Sequence, residues 1–145
     1  MTDMQNVDEE AILATLMMRA TAYREKDAVT ALSYSTNDAV EFSLAPPLVL
    51  HGKDVMGLQA WFETWEGQIE GDVCDAKFTA GGNVAFWSGL VNMKGTKTDG
   101  TCVDLWFRQT LGLVKQDGRW LVSHQHASVP FAMDGSGRAL LDLKP

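Results

Sequence analysis

The sequence predicts an α+β domain in which helices come first and a curved antiparallel sheet encloses a pocket. Three observations carry this. Apolar residues recur at helical spacing through the first third of the chain, and the period changes to two after Gly67. Short turn-rich segments then separate the alternating runs. Helices followed by a meander pack as one layer of helices on one face of a sheet.

The first helix is expected from Asp8 to Lys26, with Ile12, Leu16, Arg19 and Tyr23 on one stripe and Ala11, Leu13, Met17, Met18, Ala20 and Ala22 widening its apolar face. Asn6 or Asp8 can cap it, and Glu9 and Glu10 suit the positive end of the helix dipole. A short second helix spans Ala28 to Tyr34. Ser35-Thr36-Asn37-Asp38 reads as a turn, Val40-Glu41-Phe42 as a short strand, and Pro46-Pro47 as a loop suited to a cavity mouth. Leu48 to His51 is extended and Gly52 breaks it. Asp54 caps a third helix through Trp65, which Gly67 is placed to end. Strands follow at about Ile69–Thr79, Val84–Lys94, Thr101–Lys115 and Arg119–Ser128. Asp117-Gly118 is a strong hairpin signal between the last two. All 145 residues read as one domain, with 134–145 as a tail free to move apart from docking by Leu140, Leu141 and Leu143.

Hydrophobic residues make up 46% of the chain, and five Trp with six Phe supply bulk for a core. The formal net charge of -7, with no Lys/Arg cluster, argues against a nucleic-acid partner. Cys74 and Cys102 lie in no metal-ligand spacing and read as free, small apolar residues. The acidic start MTDMQNVDEE does not resemble a signal peptide, and no apolar run reaches membrane-spanning length. A cytoplasmic protein without a membrane partner is expected.

Arg119–Ser128 carries Trp120, Val122, His124, His126 and Ser128 on one face by alternation. A two-residue turn at Asp117-Gly118 sets Leu111 opposite His124 and Gln109 opposite His126. Phe107, Gln109, Leu111 and Leu113 then share the pocket face with Trp120, Val122 and both histidines, while Arg108 and Thr110 face outward. A three-residue turn would instead set Arg108 opposite His126. Two histidines alone make a weak metal motif, needing a third ligand such as His51, Asp38 or Asp104. No metal is therefore expected, and acid–base work by a histidine is the more plausible chemistry.

Arg108-Gln109-Thr110, Asp117-Gly118-Arg119-Trp120 and His124-Gln125-His126-Ala127-Ser128-Val129-Pro130 together resemble the SnoaL-like branch of the NTF2-like superfamily. The last hairpin is also similar to that of the association domain of calcium/calmodulin-dependent protein kinase II. The order of elements fits along nearly the whole chain. The resemblance implies a cone-shaped α+β fold, a cavity between helices and sheet, and a homodimer built through the outer sheet face. For that contact Leu121, Ser123 and Gln125 are expected, with Trp106 or Trp87. The family includes isomerases, polyketide cyclases and dehydratases that need no cofactor, as well as binding and assembly modules, so the fold alone supplies no activity.

What the resemblance implies for the site is a hydrophobic carbonyl or cyclic compound turned over by acid–base chemistry. Asp38 is a candidate carboxylate base and His126 an acid–base group that could meet it across the cavity. Tyr23 and Arg108 are candidates to stabilise developing negative charge. His124 and Gln109 would contact the ligand, and Phe42, Trp61, Trp65, Trp87 and Phe107 would line its apolar wall. The alternative is a non-catalytic ligand-binding or assembly module of the same fold.

Overall fold

The computed structural model describes residues 2–145, with side chains described from Asp8 onward. Its elements are α1 (Thr2–Arg24), α2 (Ala28–Ser33), β1 (Ser35–Phe42), β2 (Leu50–His51), α3 (Val55–Phe62), β3 (Trp65–Glu70), β4 (Val73–Gly81), β5 (Val84–Lys97), β6 (Cys102–Gln116) and β7 (Arg119–Ser128). The seven strands form one curled, unclosed sheet in the order β2-β1-β7-β6-β5-β3, with β4 also paired to β5. All pairings are antiparallel except β1 with β7. The helices lie on the concave side, giving the α+β cone that the sequence predicts.

The core forms where α1 meets the middle of the sheet. Ile12 is fully buried there against Ala85, Leu111, Leu113, Trp120 and Val122, and Leu16, Phe78, Ala80 and Trp87 pack around them. Thr15 donates its hydroxyl to the Trp120 carbonyl at 3.1 Å, which fixes the helix lengthwise on β7. The apolar stripe of α1 is narrower than expected: Leu13, Met17 and Met18 are exposed, whereas Arg19 is buried.

Four boundaries differ from the sequence reading. Helix α1 begins at Thr2, so Asp8 lies within it rather than capping it. Asp8 instead accepts from Lys115 Nζ at 3.0 Å and from the Trp120 indole at 3.3 Å, and these two bonds hold its carboxyl below the usual range. The side chain of Asn6, the other expected cap, lies outside the described residues. Ser35 to Asp38 is strand rather than turn, because the start of β1 is drawn onto β7, where Val122 donates to the Tyr34 carbonyl at 2.7 Å. Tertiary pairing here overrides local turn preference. Helix α3 stops at Phe62, and Trp65 opens a strand opposite Lys97. Gly67 therefore lies inside β3 at φ 72° instead of ending a helix. Finally, the run expected from Ile69 to Thr79 is two strands broken at Gly71-Asp72. A Cβ at Gly71 would fall 1.7 Å from the Asn92 carbonyl oxygen, so only glycine lets the chain pass there.

Other local signals act as read. Asp54 accepts from the Gly57 amide at 2.9 Å and caps α3. Asp117 and Gly118 both take positive φ, and Gln116 and Lys115 pair with Arg119 and Trp120 across a two-residue turn. Beyond β7, residues 130–140 fold back on themselves through Leu140 N to Pro130 O and Ala132 N to Arg138 O bonds. Cys74 and Cys102 are free.

Candidate functional site

The position of every candidate side chain depends on one irregularity in β7. Pairing with β6 runs in the expected register through Leu113 opposite Val122, then shifts at Ser123, after which Gly112 faces His124 and Thr110 faces His126. The unpaired Ser123 is a β-bulge, and it reverses which face each later residue occupies. Ser123 Oγ donates to the Gly112 carbonyl at 3.4 Å, and the absence of a side chain at Gly112 leaves room for His124.

The consequence is a correction. His124 and His126 stand on the outer, convex face, together with Arg108, Thr110 and Phe42, and not on the concave face. The Phe42 ring meets both imidazoles edge-on, at 5.0 Å and 5.3 Å. His126 is exposed and, with Phe42 and the Ser43–Leu48 segment, lines an open groove of about 550 Å³. Arg108 is exposed and donates from Nε to Ser128 Oγ at 3.1 Å. Asp38 is exposed on β1, and does not meet His126 across a cavity. Asp104 is also exposed and accepts from Asn92 at 2.8 Å, beside a polar groove lined by Arg24, Glu70, Lys94 and Lys144. Among the described residues, no three His, Cys, Asp or Glu side chains are grouped to hold a metal ion.

The same bulge turns Gln125 and Ala127 inward, although Gln125 was expected on the outer contact face. Gln125 Oε1 accepts a hydrogen bond from Arg19 Nη2 of α1. Arg19 Nη2 also lies 3.4 Å from the Tyr23 hydroxyl, and the guanidinium stands 4.7 Å over the Tyr23 ring. One helical turn separates the two, so they share the stripe that faces the sheet. Tyr23 is held in turn by Phe62 of α3, edge-on at 5.6 Å. Glu41 pairs with Gln125 across β1 and β7, which sets it on the same concave side.

The electrostatics of this cluster are coupled. Burial raises the Glu41 pKa above its ordinary 4.5, and the Arg19 charge and a Ser43 hydrogen bond offset only part of that. Burial likewise raises the Tyr23 pKa, opposed by Arg19 and reinforced by Glu41. Near neutral pH the phenol therefore keeps its proton and can donate, while the carboxylate is a stronger base than one in water. The sign for stability follows. Ionisation of Glu41 favours the unfolded chain, so its penalty is absent below about pH 4.5 and grows as pH rises through the raised folded pKa. Melting temperatures of wild type and Glu41→Gln, compared from pH 4 to pH 8, are expected to shift against the wild type over that window. A constant difference would contradict the burial.

The remaining concave wall is largely apolar. Phe107, Gln109 and Trp87 lie on it by alternation from buried Leu111 and Leu113, and all three are half-buried. The Trp87 and Trp65 rings lie over Gly89 and Gly95, where a Cβ would come within 2.7 Å and 3.0 Å of them. Trp65 is buried and Trp61 half-buried. They meet at 5.6 Å, and Lys97 Nζ stands 4.1 Å and 5.2 Å from their ring centres. The structure thus brings Tyr23, Gln109, Phe107, Trp65 and Trp87 to the concave side. It separates them from Phe42, His124, His126, Arg108 and Asp38. Sequence reading passed over Arg19, Glu41 and Gln125 as site residues. A charged residue inside the apolar stripe of α1 was the available signal for the first.

A model of the SnoaL-like domain matches residues 12–132. No curated protein matches the chain. Among solved structures, an NTF2-like protein of unknown function from Pseudomonas putida KT2440 shares 26% identity at a TM-score of 0.85, covering 97% of this chain and 98% of that one. A structure from Novosphingobium aromaticivorans, provisionally assigned as a scytalone dehydratase, shares 17% identity at a TM-score of 0.79, with 100% and 99% covered. A ketosteroid isomerase-like protein from Erwinia carotovora shares 20% identity at a TM-score of 0.70, with 82% and 93% covered. The last two likenesses carry the fold alone. With the model spanning most of its length, the chain belongs to the SnoaL-like domain family.

Proposed function

We propose that this protein binds a hydrophobic carbonyl or cyclic compound on its concave face and moves a proton on it, as a cofactor-independent isomerase, cyclase or dehydratase. The observation that carries the reading is a half-buried cluster around Arg19 holding two acids suited to opposite roles. Glu41 is the base and Tyr23 the hydrogen-bond donor to the developing oxyanion. Gln109, Phe107, Trp87 and Trp65 supply the flat apolar wall against which the ligand packs. In this assignment Tyr23 keeps the role that the sequence suggested, and Glu41 takes the place of Asp38 and His126.

The test is native mass spectrometry of the purified protein, followed by incubation of any released small molecule with fresh enzyme in D2O. One hydrophobic molecule per subunit that gains deuterium at carbon with wild type supports the reading. A bound molecule with no exchange identifies a non-catalytic binding module instead.

The outer face supports a second element, a homodimer. Val84 and Phe86 of β5 are 59% and 52% exposed on that face, and Phe42 and Leu121 also lie outward. Burying such apolar side chains against a second copy is favourable.

A further inference from the structure

We infer that the ligand of the concave site carries a carboxylate, and that Arg19 is the residue that reads it. This rests on the concave-site reading above and narrows its substrate to hydrophobic carboxylic acids.

Arg19 is 8% exposed and always charged, yet it takes part in no ion pair among the described residues. Its hydrogen bonds go to neutral groups, the Gln125 amide oxygen and, at the long limit, the Tyr23 hydroxyl, and both come from Nη2. Nε is wholly buried without a partner, and Nη1 makes no hydrogen bond among the described residues. A buried cation is ordinarily paired and its donors are ordinarily filled, because an unpaired charge in a low-dielectric site is costly. Glu41 is the acid whose charge is felt at Arg19, but it makes no ion pair with it among the described residues. The chain therefore leaves a guanidinium with spare donors on the side of the sheet that also carries Phe107 and Trp87.

A ligand carboxylate completes that arrangement. A carboxylate oxygen accepting from Nη1 would supply the missing counter-charge, and charge-assisted hydrogen bonds are about twice as strong as neutral ones. The ring system of the same ligand would lie along Phe107, Trp87 and Gln109. A neutral ketone would leave the buried charge as it stands, so the arrangement discriminates acids from their uncharged analogues. In this account Arg19 anchors the ligand, which leaves Tyr23 and Glu41 for the reacting atoms.

The experiment titrates the full-length protein with 2-naphthoate and with its neutral isostere 2-naphthamide, following tryptophan fluorescence and calorimetry at pH 7.5. The expected result is at least tenfold tighter binding of the carboxylate, with that preference lost in Arg19→Gln. If Arg19→Gln fails to fold, Gln125→Glu serves: it supplies an internal carboxylate to Arg19 and is expected to weaken 2-naphthoate at least tenfold more than 2-naphthamide. Equal binding of the two probes by wild type, or a carboxylate preference that survives both substitutions, would overturn the inference and leave the pocket reading intact. Failure of both probes to bind would remove the pocket reading, and the inference with it.

Discussion

Glu41→Gln is expected to slow proton exchange or turnover of the bound compound by about 10²–10⁴-fold, the usual contribution of a positioned general base. The substitution keeps the shape of the side chain and removes its ability to take a proton. Because the wild-type carboxyl is itself strained by burial, the variant is expected to fold at least as well at neutral pH. Loss of rate with retained ligand binding separates chemistry from affinity. His126→Ala is the control. His126 is exposed on the opposite face, so its removal should leave the rate within about twofold. The reverse pattern, in which His126→Ala abolishes turnover and Glu41→Gln does not, would return the chemistry to the outer face.

Phe62→Ala is expected to cost about 3–5 kcal/mol of folding stability, the range for truncating a buried aromatic side chain. Phe62 has no solvent exposure, ends α3, and packs against both Tyr23 and Trp61. Its loss would open a cavity between α1 and α3 behind the phenol, so ligand affinity should fall together with stability. Urea unfolding monitored by tryptophan fluorescence measures the first and probe titration the second. Met56→Ala on the same helix, at a residue 85% exposed, should change stability by no more than about 0.5 kcal/mol. A cost near that value for Phe62→Ala as well would show that α3 does not hold the site together.

The architecture was readable because its signals are local and periodic. The α1 stripe of Ile12, Leu16, Arg19 and Tyr23, the Asp54 cap and the Asp117-Gly118 turn each act through neighbours in the chain. The concave placement of Phe107, Gln109, Leu111 and Leu113 also followed from alternation, since β6 keeps one register with β5 along its length. What failed was the extension of that alternation into β7. Ser123 adds one residue to one strand, and from there His124 and His126 exchange faces with Gln125 and Ala127. The cue was Gly112, a glycine in the middle of an apolar strand and opposite His124, which marks the site of a bulge only once the pairing is known. Glu41 was hidden for a different reason. Its partner strand is β7, reached by a parallel pairing across more than eighty residues of chain, and no local pattern reports such a contact. Asp38 was the candidate acid because the resemblance implied a carboxylate base, but β1 leaves it in solvent.

The most direct test of the central claim, that the site is the concave cluster, is amide NMR of the labelled protein during titration with 2-naphthoate. The side-chain amides of Gln125 and Gln109 report the concave side, and the imidazoles of His124 and His126 report the convex side. Saturable shifts at Gln125 and Gln109, with the histidines unmoved, are the predicted result. Shifts confined to His124, His126 and the neighbouring Phe42 segment would contradict the account and place binding in the outer groove.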